Sequence, residues 1–324
     1  MRRWWPASAV SPDQVSPQAA QGSGSEDKDG IWQMGKTVFL IGYPLKHSVS
    51  SAFQQAAFDH HHLDVGYKNR ETDGAELETA VKSLRRSSVL GANVTIPHKE
   101  RVLSLVDDLD EPAARIGAVN TIVNRGGRLL GFNTDAPGFL SALRYEAGFE
   151  CRGVSAVLLG AGGAARAVGF ALVREGAKRL MIANRSADRA ENLAAFLRGQ
   201  AGHGTEVVSE AWESLRSGRM LPRCDLLVNC TSLGMRHSAT EGQSPLEADA
   251  IPDGVLVCDL VYNPEETPLL KEARKARAVV LGGLPMLVYQ GAASFELWTG
   301  REPPLDIMFR KAREALGLDA DSAA

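Results

Sequence analysis

The chain is poor in cysteine, poor in aromatic residues and without an excess of either charge. Four cysteines in 324 residues, Cys151, Cys224, Cys230 and Cys258, form no CxxC pair. That spacing argues against a thiolate zinc site or a disulfide framework, so no metal and a reducing, cytoplasmic setting are expected. Lys and Arg number 36 against 39 Asp and Glu, a formal net charge of −3. There is accordingly no basic stripe for nucleic acid and no acidic tail. No apolar run reaches the roughly 18 residues of a membrane-spanning helix, and no fixed-period repeat stands out. What is present, 44% hydrophobic and 23% charged residues, suffices for two ordinary domains with full cores. Residues 1–35 are rich in Ser, Gln, Pro, Gly and Asp. Arg2 and Arg3 precede Trp4 and Trp5, but no apolar segment of signal-peptide length follows. A disordered lead is expected there.

The most informative stretch is Gly91-Ala92-Asn93-Val94-Thr95-Ile96-Pro97-His98-Lys99-Glu100. Residues 90–96 read as a short buried strand. Pro97 cannot continue a ladder and suits a first helical turn. Lys99 then falls just past a strand end, where open α/β sheets bind ligands. Asn93 and Thr95, two apart, share one face of that strand. One polar face with a lysine at its tip makes a substrate floor; the bland alternative is a polar edge with a solvated lysine.

Upstream, a strand at 36–41 leads to His47-Ser48-Val49-Ser50 and a helix at 52–61. Ser48 or Ser50 can cap that helix, or grip a carboxylate at its positive end. The run His60-His61-His62 is expected to be an exposed helix end, since adjacent residues fan out around a helix. A strand at 65–71, a helix at 74–86 and the strand at 90–96 complete a β-α-β-α-β series, the pattern of a parallel sheet. Downstream, Gly126-Gly127 marks a hairpin between residues 116–124 and 128–132. Asn120 and Asp135 then lie on adjacent segments near the Lys99 tip, and Asp135 is placed to cap a helix at 137–145.

A second unit begins near Cys151. A strand at 154–159 runs into Gly160-Ala161-Gly162-Gly163-Ala164-Ala165 and then a helix. This is G-x-G-x-x-A in its required context, with backbone free to approach a pyrophosphate at a helix N-terminus. The next strand, 179–183, ends in Asn184-Arg185-Ser186, where an NAD site would carry an acid for the ribose. Arg185 suits a 2′-phosphate instead, so NADP is the expected cofactor; the bland alternative is a surface arginine where a helix at 187–197 begins. Further strands are expected at 205–208, 225–230, 254–260 and 278–281. The Asn229–Met235 loop could line the nicotinamide side. Thr267-Pro268 starts a helix, and a long helix at 286–298 carries Gln290.

Taken together, these motifs resemble the shikimate dehydrogenase family over roughly residues 37–316. They are His47-Ser48-Val49-Ser50, Asn93 through Lys99, Gly117-Ala118-Val119-Asn120-Thr121, Asn133-Thr134-Asp135, the Gly160 loop, Asn184-Arg185-Ser186 and Met286-Leu287-Val288-Tyr289-Gln290. The resemblance implies an α/β fold of two α/β domains. A discontinuous substrate domain (36–134 and 284–324) would receive the C-terminal helices, and a Rossmann-like NADP domain would span 135–283. It implies Lys99 and Asp135 as the catalytic pair. Ser48, Ser50, Asn93, Thr95, Asn120, Tyr262 and Gln290 would hold the substrate's carboxylate and hydroxyls. Gly160, Ala161, Gly162, Gly163, Ala164, Asn184, Arg185, Ser186, Thr231, Leu260 and Gly283 would hold NADP. Ser51, Ala136, Gly282 and Pro285 depart from the family pattern. The implied reaction is reversible NADPH-dependent reduction of 3-dehydroshikimate to shikimate, on the route to chorismate and the aromatic amino acids. It would be carried out by a monomer or homodimer. A quinate/shikimate dehydrogenase using NAD and a non-catalytic NADP-sensing paralogue are the alternatives.

Overall fold

The computed structural model describes residues 35–46, 48–201, 204–212 and 221–318. The expected lead lies outside them except for Gly35, as does His47. The chain divides into two units: residues up to Thr134 together with Gly291 onward, and Asp135–Gln290.

The first unit begins with β1 (Lys36–Gly42), α1 (Ser50–His60), β2 (Val65–Glu71), α2 (Leu77–Ser83) and β3 (Val89–Val94). Next come a 3₁₀ turn (Arg101–Leu105), β4 (Asp108–Leu109), α3 (Glu111–Ile116), β5 (Thr121–Arg125) and β6 (Arg128–Phe132). Its sheet has the order β2-β1-β3-β5-β6-β4. β1 pairs parallel with β2 and β3, as the β-α-β-α-β pattern requires. The hairpin expected after that series continues the same sheet in the antiparallel sense. β5 and β6 form a hairpin about Gly126 and Gly127 (φ 60° and 94°), and β5 lies antiparallel against β3. A two-residue turn with both φ positive matches strand twist, and glycine adopts it without steric cost. β4 and α3, two and six residues long, were not anticipated: α3 is set by Asp110, whose carboxylate accepts from Ala113 N–H, and by Pro112 in its first turn. Every residue of β3 is buried, and Val89, Ala92 and Val94 join a core that includes Ile41, Leu77, Leu84, Val102, Ile122 and Leu129.

The second unit contains α4 (Asp135–Glu146), β7 (Ser155–Leu159), α5 (Gly163–Arg174), β8 (Arg179–Asn184), α6 (Ala187–Gln200) and β9 (Glu206–Ala211). Then come β10 (Leu226–Asn229), β11 (Leu256–Asp259), α7 (Pro268–Lys275) and β12 (Val279–Leu281). The strand order is β12-β11-β10-β7-β8-β9, with every pairing parallel. That is the doubly wound Rossmann order, and its switch point lies between β7 and β10. The core packs Val157, Leu159, Leu227, Val257 and Leu269. The unit division falls inside α8 (Leu284–Thr299), and α9 (Leu305–Leu316) packs on α1 in the first unit.

Candidate active site

In the first unit the backbone ladder outlasts the strands. Thr95 N–H donates to Ile41 O (2.9 Å), Tyr43 N–H to Ile96 O (2.9 Å) and Thr72 N–H to Gly42 O (2.9 Å). Pro97 lies in a turn, preceded by a cis Ile96–Pro97 bond, and the 3₁₀ turn starts only at Arg101, so Pro97 does not open a helix as its sequence position suggests. His98 is wholly buried with Nε2 2.7 Å from Thr72 O. A carbonyl oxygen only accepts, so Nε2 carries the hydrogen. Lys99 follows, half-buried, and its own carbonyl accepts from Val119 N–H at 2.8 Å. The lysine backbone is therefore fixed on both sides, by β2 through His98 and by the approach to β5.

The serine loop is arranged differently from expectation. α1 begins at Ser50 itself, its N-cap is Val49, and no side chain caps it. Ser48 Oγ accepts from Ser50 N–H at 3.3 Å, and Glu71 Oε1 accepts from Leu45 N–H at 2.9 Å, tethering the loop. Asp135 likewise is the first helical residue of α4 and not its cap, and it is buried. A carboxylate in a first turn gains from the helix dipole. His61 of the histidine run reaches Glu302 O (2.9 Å). Among the described residues no group of three or more His, Cys, Asp or Glu could hold a metal ion.

Asn93 and Asn120 are both buried. Asn93 Oδ1 accepts from Tyr67 O–H (2.8 Å), while its Nδ2 lies 3.2 Å from Asn120 O, 3.2 Å from Thr121 Oγ1 and 3.0 Å from Ser294 Oγ. Asn120 Nδ2 donates to Thr134 Oγ1 (2.7 Å), and its Oδ1 accepts from Thr134 N–H (2.7 Å) and Thr121 Oγ1–H (3.1 Å).

In the second unit the glycine turn fills the switch point. Gly160 has φ 112°, and a Cβ there would meet Thr231 Cγ2 at 3.0 Å and the Cys230 carbonyl carbon at 3.2 Å. Glycine is required twice over, by conformation and by contact. A Cβ on Gly162 would meet nothing within 4 Å, and α5 starts from Gly162 without a side-chain cap. The first-turn amides thus lack intrahelical acceptors and suit a phosphate. These residues fit a dinucleotide. Ser186 caps α6 by accepting from Arg189 N–H at 3.4 Å, and Asn184 Nδ2 donates to Ser186 O at 3.0 Å. Arg185 is exposed beside them.

The ends of β10 and β11 are tied by one buried carboxylate. Asp259 accepts from Asn229 Nδ2 (2.9 Å), Val261 N–H (3.0 Å) and Thr267 Oγ1–H (2.6 Å). Asn229 Oδ1 in turn accepts from Thr231 N–H (3.0 Å) and Thr231 Oγ1–H (2.7 Å). Burial pushes Asp259 up to about 6, and its three hydrogen bonds pull the other way. Leu260 N–H donates to Asn229 O, and a Cβ on Gly283 would meet Leu260 O at 2.4 Å, so that contact demands glycine. The Tyr262 phenol is held above its ordinary range by desolvation. Gln290 Nε2 donates to Leu287 O (2.7 Å), and a Cβ on Gly138 would meet Gln290 N at 2.7 Å, so α4 and α8 touch through a glycine.

Comparison with known proteins decides the family. The model of the shikimate dehydrogenase substrate binding domain matches residues 40–122, that of shikimate/quinate 5-dehydrogenase residues 145–233, and that of the shikimate 5′-dehydrogenase C-terminal domain residues 283–312. The shikimate dehydrogenase (NADP(+)) of Methanopyrus kandleri is 47% identical over 280 residues, 86% of this chain and 95% of that one. The chain belongs to the shikimate dehydrogenase family. Among solved structures of this family, the Thermus thermophilus shikimate 5-dehydrogenase in complex with NADP(H) and shikimate superposes with a TM-score of 0.75 at 38% identity, covering 87% of this chain and 100% of that one. A quinate dehydrogenase from Corynebacterium glutamicum in complex with NAD gives 0.76 at 30% identity, covering 86% and 98%.

Against that family background, one cation at the glycine turn escaped the sequence reading. Arg189 Nη2 lies 3.4 Å from Ala161 O. The available signal was its position, a second arginine in the first turn of the helix that follows Arg185. Thr121 and Thr134 lie inside the quoted motifs but were given no role there, and Tyr67 and Ser294, which also surround Asn93, were missed, because single hydroxyls leave no periodic trace.

Proposed function

We propose that the protein is an NADP-dependent shikimate dehydrogenase, an oxidoreductase acting on a CH–OH group, which reversibly reduces 3-dehydroshikimate to shikimate. The observation that carries this reading is the 47% identity, over nearly the whole length of both chains, to a curated shikimate dehydrogenase (NADP(+)). Residues 36–134 and 284–324 serve the substrate and residues 135–283 the nucleotide. Bound NADPH would supply the hydride. The Gly160–Ala164 turn receives the pyrophosphate, and Arg185, with Arg189, Asn184 and Ser186, receives the 2′-phosphate. Thr231, Leu260 and Gly283 flank the nicotinamide.

As the carbonyl is reduced, negative charge builds on its oxygen. Lys99 stabilises that oxygen and donates the proton, with Asp135 as its catalytic partner. Ser48 and Ser50 take the carboxylate at the start of α1. Asn93, Thr95, Asn120, Tyr262 and Gln290 take the ring hydroxyls. The enzyme works in the cytoplasm as a monomer or homodimer. Among the described residues no helix is long and apolar enough to cross a membrane.

The test is a nicotinamide-absorbance assay with shikimate and quinate, each with NADP⁺ and NAD⁺. Shikimate with NADP⁺ gives the highest kcat/KM, and Lys99→Ala lowers kcat by about two orders of magnitude, the scale of a lost acid–base group. Full activity in that variant overturns the assigned role. The similarity to a quinate dehydrogenase in complex with NAD supports a second reading, a quinate/shikimate dehydrogenase using NAD, which a preference for quinate with NAD⁺ in the same assay would establish.

A further inference from the structure

Two chains of hydrogen bonds in the second unit end on one carboxylate. From the β10 side, Leu233 N–H donates to Thr231 Oγ1 (3.1 Å), the Thr231 hydroxyl donates to Asn229 Oδ1 (2.7 Å), and Asn229 Nδ2 donates to Asp259 Oδ1 (2.9 Å). From the α7 side, Leu270 N–H donates to Thr267 Oγ1 (3.2 Å) and the Thr267 hydroxyl donates to Asp259 Oδ2 (2.6 Å). Val261 N–H is a third donor to the carboxylate, at 3.0 Å from Oδ1. Asn229, Asp259 and Thr267 are completely buried. Every hydrogen bond points toward Asp259, and an ionised carboxylate, which only accepts, closes both chains. An apolar residue would fill the same space without burying a charge, so stability alone does not call for an acid here.

The network holds two segments that the reading above sets beside the nicotinamide. Thr231 gives its hydroxyl hydrogen to Asn229, and its methyl is the group that a Cβ on Gly160 would meet at 3.0 Å. The segment that follows Asp259 is held through the Val261 amide. A Cβ on Gly283 would meet Leu260 O at 2.4 Å and the Val261 carbonyl carbon at 2.9 Å. We propose that Asp259 is a positioning residue that, through Asn229 and the Val261 amide, holds Thr231 and Leu260 at the spacing a nicotinamide ring requires. This rests on the assignment of Thr231, Leu260 and Gly283 to the nicotinamide in that reading. Asp259 itself has no exposed surface and touches no ligand.

The experiment compares wild type with Asp259→Ala, Asp259→Asn and Asn229→Ala. Kd is measured for NADP⁺ and for 2′-phosphoadenosine-5′-diphosphoribose, which is NADP⁺ without its nicotinamide. Asp259→Ala is expected to weaken NADP⁺ by about tenfold, the scale of one charge-assisted hydrogen bond, and to leave the truncated nucleotide unchanged. Its kcat for shikimate oxidation should fall by about ten- to a hundredfold, since hydride transfer is sensitive to small misplacement of the ring. Asp259→Asn should restore most of both, because its remaining oxygen still accepts from Asn229 and Val261. Asn229→Ala should act in the same direction and combine non-additively with Asp259→Ala. Equal weakening of both nucleotides, the mark of a merely structural role, overturns the proposal, and so does no change. A second measurement needs no ligand. In Asp259→Ala the backbone amides of residues 231–233 and of Val261 should exchange hydrogen faster while β7 keeps its wild-type protection, and unchanged exchange at 231–233, or an equal loss in β7, also overturns it. A wild type that binds neither nucleotide would sink the functional reading, whereas the exchange would still decide the role of Asp259.

Discussion

Asp259 is a carboxylate with no exposed surface, and three hydrogen bonds do not fully replace the water it has lost. Its folded pKa of about 6 exceeds the value of 3.8 for a free side chain. The native chain therefore holds a proton that the unfolded chain releases between about pH 4 and 6, and this residue's contribution to stability falls as pH rises through that window. At neutral pH it is a penalty on the order of 2–3 kcal/mol, the two-unit displacement converted at 1.36 kcal/mol each. Two thiols near it in the fold, Cys230 and Cys258, are pushed up mainly by burial and further by the Asp259 charge, so they stay neutral across the same window. Asp259→Asn should flatten the slope of unfolding free energy between pH 4 and 6, measured by urea denaturation at several pH values. A slope equal to that of wild type would show that the carboxylate is better solvated than its position implies. What the penalty maintains is the join between Asn229, Thr231, Val261 and Thr267.

At the level of elements, the start of α6 presents two guanidinium groups near one loop. Arg185 precedes its Ser186 cap, and Arg189 lies one turn inside, against the Ala161 carbonyl. Charge-assisted hydrogen bonds are worth about 1.5–3 kcal/mol each. Arg185→Ala and Arg189→Ala should each raise the KM for NADP⁺ by about tenfold or more while leaving that for NAD⁺ nearly unchanged. Steady-state kinetics with both nucleotides is the check, and a variant that keeps the wild-type NADP⁺ preference loses its assigned contact. The nucleotide turn was readable in advance because its signal is local: three glycines, a strand before and a helix after. The β5–β6 hairpin was readable from Gly126-Gly127 and α7 from Thr267-Pro268, whose hydroxyl does cap Leu270 N–H. The antiparallel seat of β5 against β3 was not, since strand direction within a sheet is set by partners far along the chain. Nor were the serines of α1, where the helix starts one residue later than Val49 and leaves the Ser48 hydroxyl to the Ser50 amide. The hydroxyls around Asn93 and Asn120 were the hardest to foresee, because they come from positions 121, 134 and 294 and no window along the sequence contains them.

At the scale of the whole molecule, the two units have separate cores, and each proposed ligand has its own set of contact segments. NADP⁺ should slow backbone hydrogen exchange at residues 160–165, 184–189 and 229–233, and shikimate should slow it at residues 48–50 and 93–99, because a ligand that binds only the native form suppresses local opening where it binds. Mass-spectrometric exchange with each ligand alone tests this, and NADP⁺ protection absent from residues 160–165 would remove the nucleotide from the glycine turn. The division inside α8 also has a temporal meaning. The second unit is one unbroken stretch, Asp135–Gln290, whereas the first is completed only by Gly291 onward. Domains generally fold as units while the ribosome delivers them from the N-terminus. The nucleotide half can close while the other half still waits for Trp298, whose indole N–H donates to Ile122 O across Gly91, and for α9 to reach α1. A nascent chain stalled before residue 291 would thus carry one finished half and one open sheet, and it is the open sheet that a chaperone would have to shield.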